Sequence, residues 1–168
     1  MMTIQDKLFM QIALEEAGLA YEKGEVPVGA VLVSDRKNII SRRHNLRESK
    51  MDSTAHAEIL VIKESSRLLK RWRLSNTTLY VTLEPCLMCV GALIHARIDR
   101  LVFGCFDPKA GSCGSLFNIP EDRRFNHHFQ VEQGCLENEC SQILKSFFSE
   151  LRESKKERPV YTKDLMSN

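Results

Sequence analysis

A chain of 168 residues is most simply one domain, and a domain of that size buries roughly two thirds of the surface its unfolded form exposes, so neither a metal nor a disulfide is required to hold it together. With 43% hydrophobic and 27% charged residues, the composition is that of an ordinary globular protein and excludes disorder except at the ends. The formal net charge of +2 is too small to mark a nucleic-acid binder by itself.

Residues 3–22 predict an amphipathic helix, capped by Thr3 with Asp6 three positions on, and with Leu8, Ile12 and Leu19 on its apolar side. Acidic residues interrupt this stretch and no long hydrophobic run precedes it, so no signal peptide or membrane anchor is expected and the expected compartment is the cytoplasm. VGAVLVS (28–34), the polar turn DRKN and IISRRHN (39–45) predict a hairpin. From a cap at Ser53 or Thr54, AHAEILVIKESSRLL predicts a second helix. TTLYVTL (77–83) predicts a strand, Pro85 suits the first turn of a helix reaching about Arg97, and RLVFGC (100–105) predicts another strand. FQVEQG (129–134) is a shorter strand, and NECSQILKSFFSELRESKKE (138–157) a terminal helix that runs into a basic tail over about 155–168. Strands alternating with helices predict an α/β domain spanning 1–168, with a mixed sheet covered on both faces.

TAHAEI (54–59) and TLEPCLMC (82–89) carry the chemistry. Cys86 and Cys89 sit three apart at a predicted helix start, so both thiols project to one side and the helix N-terminus eases the cost of two thiolates. The same C-x-x-C spacing also serves redox sites, but those do not come with a separate histidine at another helix start. Zinc takes four ligands; His56, Cys86 and Cys89 supply three and leave one position open, which is the count of a catalytic site. The alternative is a closed structural site completed by Cys105, Cys113, Cys135 or Cys140, none of which is paired at short spacing. In a chain of this kind the six cysteines read as ligands or buried thiols rather than disulfides. Glu58 follows His56 by two; read alone it is a solvated helix glutamate, and read with the ligands it is a carboxylate beside the open position. Zinc lowers the pKa of a water it binds from 15.7 toward about 7, and such a carboxylate can carry the proton away, so hydrolytic attack on an electron-poor carbon is the indicated reaction class.

H-A-E followed by P-C-x-x-C is the nucleobase deaminase signature, and the chain resembles the cytidine/deoxycytidylate deaminase superfamily. Within it, EVPVGAVLV, HN (44–45), TAHAEI, TLYVTLEPCLMCVGALIHARI, LVFGCFDPKAGSCGSL and NHHFQVEQG are similar to bacterial tRNA-specific adenosine deaminases over about residues 8–152. The resemblance implies a three-layer α/β/α cytidine-deaminase-like fold with a central mixed sheet of about five strands. It further implies one zinc ion (Zn2+) per subunit on His56, Cys86 and Cys89, with Glu58 as the proton shuttle. Asn45, Asp107 and Phe148 then belong with the substrate; their alternative readings are an Asx-type turn, a pre-proline loop carboxylate and a core aromatic. Phe106 and FNIPEDRRFN depart from the family pattern and bear on substrate preference rather than chemistry.

The implied activity is hydrolytic deamination of adenosine to inosine at the wobble position of a tRNA anticodon stem-loop, by a homodimer with no membrane partner. The competing readings are a free-base deaminase acting on guanine, then cytosine, and an idle RNA-binding or zinc-stabilised module, which Glu58 argues against. Arg42, Arg43, Arg47, Lys70, Arg71, Arg73, Lys155, Lys156 and Arg158 are the candidate phosphate contacts, with plain solvated faces as their alternative.

Overall fold

The computed structural model describes residues 2–35 and 37–156, so Arg158 and most of the expected basic tail lie outside the described residues. In chain order the elements are α1 (Ile4–Glu22), β1 (Gly29–Ser34), β2 (Ile39–His44), α2 (Arg47–Lys50), α3 (Ala57–Leu69), β3 (Thr77–Leu83), α4 (Leu87–Ala96), β4 (Arg100–Cys105), β5 (Gln130–Gln133) and α5 (Glu137–Lys156), with one turn of 3-10 helix at Ile119–Glu121. The short α2 and the 3-10 turn fall inside the two loops where no regular element was predicted.

The five strands form one mixed sheet in the order β2-β1-β3-β4-β5. β2, β1 and β3 pair antiparallel, whereas β3, β4 and β5 pair parallel. Alternation along the central strands divides the side chains between two cores. Leu32, Leu79, Val81, Leu101 and Phe103 pack with Val61 of α3 and Val90 and Leu93 of α4. Val31, Val33, Tyr80 and Val102 pack with Phe9 and Met10 of α1 and Cys140 of α5. The result is the expected three-layer α/β/α arrangement.

α1 begins with the predicted capping box: the Thr3 hydroxyl accepts from the Asp6 amide (3.1 Å), and the Asp6 carboxylate accepts from the Thr3 amide (2.8 Å). Its buried face differs from the sequence reading. Leu8 and Leu19 are 57% and 42% exposed, and Phe9, Met10, Ala13, Ala17 and Ala20 face the sheet instead. The small residues matter because α1 lies close on β1: a Cβ at Gly29 would come within 2.0 Å of the Ala13 carbonyl oxygen.

Asp6 also receives the Tyr80 hydroxyl (2.8 Å) and Arg100 Nη1 (2.7 Å), and Arg100 Nη2 pairs with Glu132 (2.8 Å), tying α1, β3, β4 and β5 together. Burial pushes the Asp6 pKa up, but hydrogen bonds from Arg100, Thr3 and Tyr80 outweigh it and hold the carboxyl well below its usual range. A depressed carboxylate stabilises the fold above its unfolded pKa of about 3.9 and loses that contribution as pH falls toward the folded value. We therefore expect Asp6→Asn to cost about 2 kcal/mol in urea unfolding near neutral pH, since it removes the buried charged partner of the half-buried Arg100 and leaves it Glu132 alone. The gap from wild type should narrow below about pH 3.9; a gap that widened on acidification would contradict this account.

Candidate active site

The site lies where α3 and α4 begin. Thr54 does not cap α3, because its amide and hydroxyl both turn back to Asp52 Oδ1 (2.8 and 2.7 Å). His56 occupies the N-cap position with no side-chain cap bond, and the free Ala57 amide donates instead to Asn45 Oδ1 (2.9 Å). In α4 the N-cap is Cys86, again without a side-chain cap bond, and Pro85 precedes the cap rather than entering the first turn. Each cap position is thus taken by a metal-ligand type.

His56 Nδ1 lies 3.7 Å from Cys86 Sγ and 3.6 Å from Cys89 Sγ, and the three donor atoms fall within 4.8 Å of one another. Tetrahedral zinc, at about 2.3 Å to sulfur and about 2.0–2.1 Å to nitrogen, requires N···S separations of about 3.6 Å. The spacing and the soft donor set both fit the ion. Cys105, Cys113, Cys135 and Cys140 are free and buried, and among the described residues none joins the group, so the closed four-ligand alternative is not formed.

Without metal, the Cys86 pKa is drawn down to about 4 by a hydrogen bond from Cys89, with burial opposing and His56 assisting. Donating to Cys86, together with burial, pushes Cys89 far up. Cys86 is thus the easier of the two thiols to deprotonate. Glu58, in the first turn of α3, is buried, and that burial raises its carboxyl above the usual range, a property suited to holding and passing a proton.

Asn45 is buried, with Nδ2 donating to the Val26 carbonyl (3.2 Å), so its amide carries structure at the ligand helix and is not a local Asx turn. Val26 also borders a groove of about 560 Å³ between the 105–109 loop and α5. Phe106, Asp107 and Lys109 line one side, and Lys145, Phe148 and Arg152 the other. Asp107 and Phe148 thus share one groove, and Phe148 is 40% exposed rather than core. Asp107 Oδ1 additionally accepts from the Lys109 (3.0 Å) and Ala110 (3.3 Å) amides, which shapes its own turn.

The basic residues are distributed differently from the sequence reading. Arg42 pairs with Glu15 and Glu16, Arg43 with Glu64, and Arg73 lies over the Trp72 ring at 4.8 Å. The cations at the groove are Lys109, Lys145 and Arg152, which the sequence reading did not single out. It also missed two buried carboxylates beside the site. Glu25 accepts from the Glu48 (3.2 Å) and Ser49 (2.7 Å) amides of α2, and Glu84 holds the 106–115 loop. Their signal was an acidic residue interrupting an apolar stretch next to a motif, in GEVPVG and TLEPC.

Comparison with known proteins agrees with this geometry. The pattern of the cytidine and deoxycytidylate deaminase zinc-binding region matches residues 3–105. The chain belongs to that family. It is 55% identical over 152 residues to a tRNA-specific adenosine deaminase of Bacillus subtilis, covering 90% of this chain and 94% of that one. It is 49% identical over 160 residues to a tRNA-specific adenosine deaminase of Haemophilus influenzae, covering 95% and 92%. A structure from studies of A-to-I editing by tRNA:A34 deaminases at the wobble position of transfer RNA matches with TM-score 0.79 and 44% identity, over 82% of this chain and 99% of that one. A guanine deaminase of Nitrosomonas europaea, 22% identical with TM-score 0.72 over 85% and 84% of the two chains, shares the fold. As a member of this family the chain is a zinc-binding deaminase.

Cysteine ligates zinc as the thiolate and the Cys89 thiol is pushed far up, so binding to metal-free protein is expected to release protons and to tighten as pH rises. Calorimetry in two buffers of different ionisation enthalpy measures this. A proton count of zero would mean the sulfurs are not the ligands.

Proposed function

We propose that this chain deaminates adenosine to inosine at the wobble position of a tRNA anticodon loop. The observation that carries the reading is the convergence of His56, Cys86 and Cys89 beside a buried Glu58, in a chain 55% identical to a tRNA-specific adenosine deaminase. His56, Cys86 and Cys89 would hold the zinc, and bound zinc supplies a Lewis acid that makes water nucleophilic near neutral pH. Glu58 takes a proton from the attacking water and passes it to the purine ring nitrogen as C6 is attacked; it then takes the second proton from the new C6 hydroxyl and gives it to the amine, so that the C6–N bond breaks as the C6 carbonyl forms. Water is consumed and ammonia leaves.

The groove between the 105–109 loop and α5 supports an RNA substrate over a free base. Phe148 and Phe106 offer faces on which flanking bases can stack, Lys145 and Arg152 can meet phosphates, and the Asp107 carboxylate can accept from a ribose hydroxyl. Among the described residues no helix is long and apolar enough to cross a membrane. We also propose a homodimer, for which the exposed Leu68, Leu69 and Trp72 at the end of α3 offer apolar surface.

An ammonia-release and inosine assay tests the reading on zinc-loaded protein offered an anticodon stem-loop with wobble adenosine, free adenosine, guanine or cytosine. Inosine should form in the stem-loop, and Glu58→Ala should slow it by about 10² to 10⁴ while zinc content stays at the wild-type level. Turnover of guanine or cytosine with an inert stem-loop would transfer the activity to free bases. Phe148→Ala should raise KM for the stem-loop by about tenfold, the loss of one stacked base, with kcat little changed.

A further inference from the structure

We infer that Glu84 is a positioning residue for the reaction: its buried carboxylate locks the Asp107 loop against the segment that carries the metal-binding cysteines. This rests on the reading of Asp107 as a nucleotide contact. Glu84 follows the last residue of β3 and precedes Pro85 and Cys86, and its side chain is almost wholly buried. It points not toward the metal group but into the loop that leaves β4. Oε1 accepts from the Cys113 (2.9 Å) and Ser115 (3.0 Å) amides, while Oε2 accepts from the Asp107 amide (3.0 Å) and the Ser115 hydroxyl.

Two further observations show that the loop is built around this side chain. A Cβ at Gly111 would stand 2.1 Å from Glu84 Oε2, so the loop approaches the carboxylate as closely as glycine allows. The Ser112 amide donates to the Pro85 carbonyl (2.9 Å), and Cys86 and Gly111 form an isolated antiparallel bridge. The metal-ligand segment and the Asp107 loop therefore touch directly, with Glu84 at the junction.

An acceptor-only group facing four donors cannot be replaced by an amide of the same shape. Glu84→Gln would place its NH2 toward Oε1 and oppose two backbone amides, or toward Oε2, where the Ser115 hydroxyl can turn to accept but the Asp107 amide cannot. The second orientation is the less costly, and it frees Asp107.

The test compares Glu84→Gln with Tyr80→Phe, which removes a buried hydroxyl in the Asp6 network and serves as a destabilised control. Glu84→Gln should keep zinc at wild-type content, speed exchange of the Asp107 amide by about tenfold or more, and raise KM for the stem-loop by about tenfold with kcat far less affected. Tyr80→Phe should leave both loop exchange and KM at wild-type values. Unchanged loop exchange and KM in Glu84→Gln overturns the proposal, as does loss of its zinc or an equal change in Tyr80→Phe. Should Glu84→Gln fail to fold, Ser115→Ala removes one donor to the same carboxylate and should speed Asp107 exchange about twofold to threefold; no acceleration overturns the proposal. An inert stem-loop with wild-type protein would defeat the substrate reading alone, because the exchange data still decide whether Glu84 holds the loop.

Discussion

Two helices have to begin at the same point. The donors of the metal group come from the starts of α3 and α4, His56 from one and Cys86 and Cys89 from the other, and they are useful only when the two helix ends meet. The exposed amides and aligned peptide dipoles of a helix N-terminus favour negative charge, so two thiolates and a carboxylate are less costly there than elsewhere in a buried site. The same placement removes the usual caps. His56 and Cys86 stand where Ser, Thr or Asp would ordinarily serve, and neither makes a cap bond. Asn45 resolves the conflict for α3 by accepting the Ala57 amide from the end of β2, coupling the ligand helix to the sheet.

That conflict explains where the sequence reading went wrong at this site. A cap at Ser53 or Thr54 is the local optimum, but Asp52 takes both Thr54 donors and the helix starts later, at the ligand. Local rules fail where function claims the position. The strands, by contrast, were legible to within about a residue, because each central strand must feed two cores and shows it by β-branched, apolar runs ended by turn residues. The apolar face of α1 was not legible: apolar residues surround it, and the choice of Ala13, Ala17 and Ala20 over Leu8 and Leu19 depends on how closely Gly29 lets the helix approach. The metal group was legible because zinc demands a donor set that spacing exposes. Glu25 and Glu84 showed only as acidic residues interrupting apolar stretches; their partners are backbone amides 23 to 31 positions away, which no pattern of side chains records.

Basic clusters along the chain also acquire partners that only the fold reveals. SRRHN looks like a phosphate-binding run, but α1 and α3 bring Glu15, Glu16 and Glu64 against Arg42 and Arg43. A charge read along the chain says nothing of the charge opposite it in space. The groove's own cations, Lys109, Lys145 and Arg152, are scattered over two elements and form no run at all.

On the proposed function, chemistry and recognition are held by different devices. His56, Glu58, Cys86 and Cys89 stand on rigid helix starts, where small displacements of a donor or a proton carrier would cost the most. Asp107, Phe106 and Lys109 stand on a loop with no helix or strand of its own, which gets its order from buried hydrogen bonds to Glu84, while Glu25 does the same for the loop holding α2. A carboxylate saturated with backbone donors fixes main chain without dictating the side chains that project from it. Phe106 is such a side chain: it packs edge-on against Phe103 at 5.2 Å on one side and borders the groove on the other. A change at Phe106 would therefore reshape the groove and leave the metal group in place.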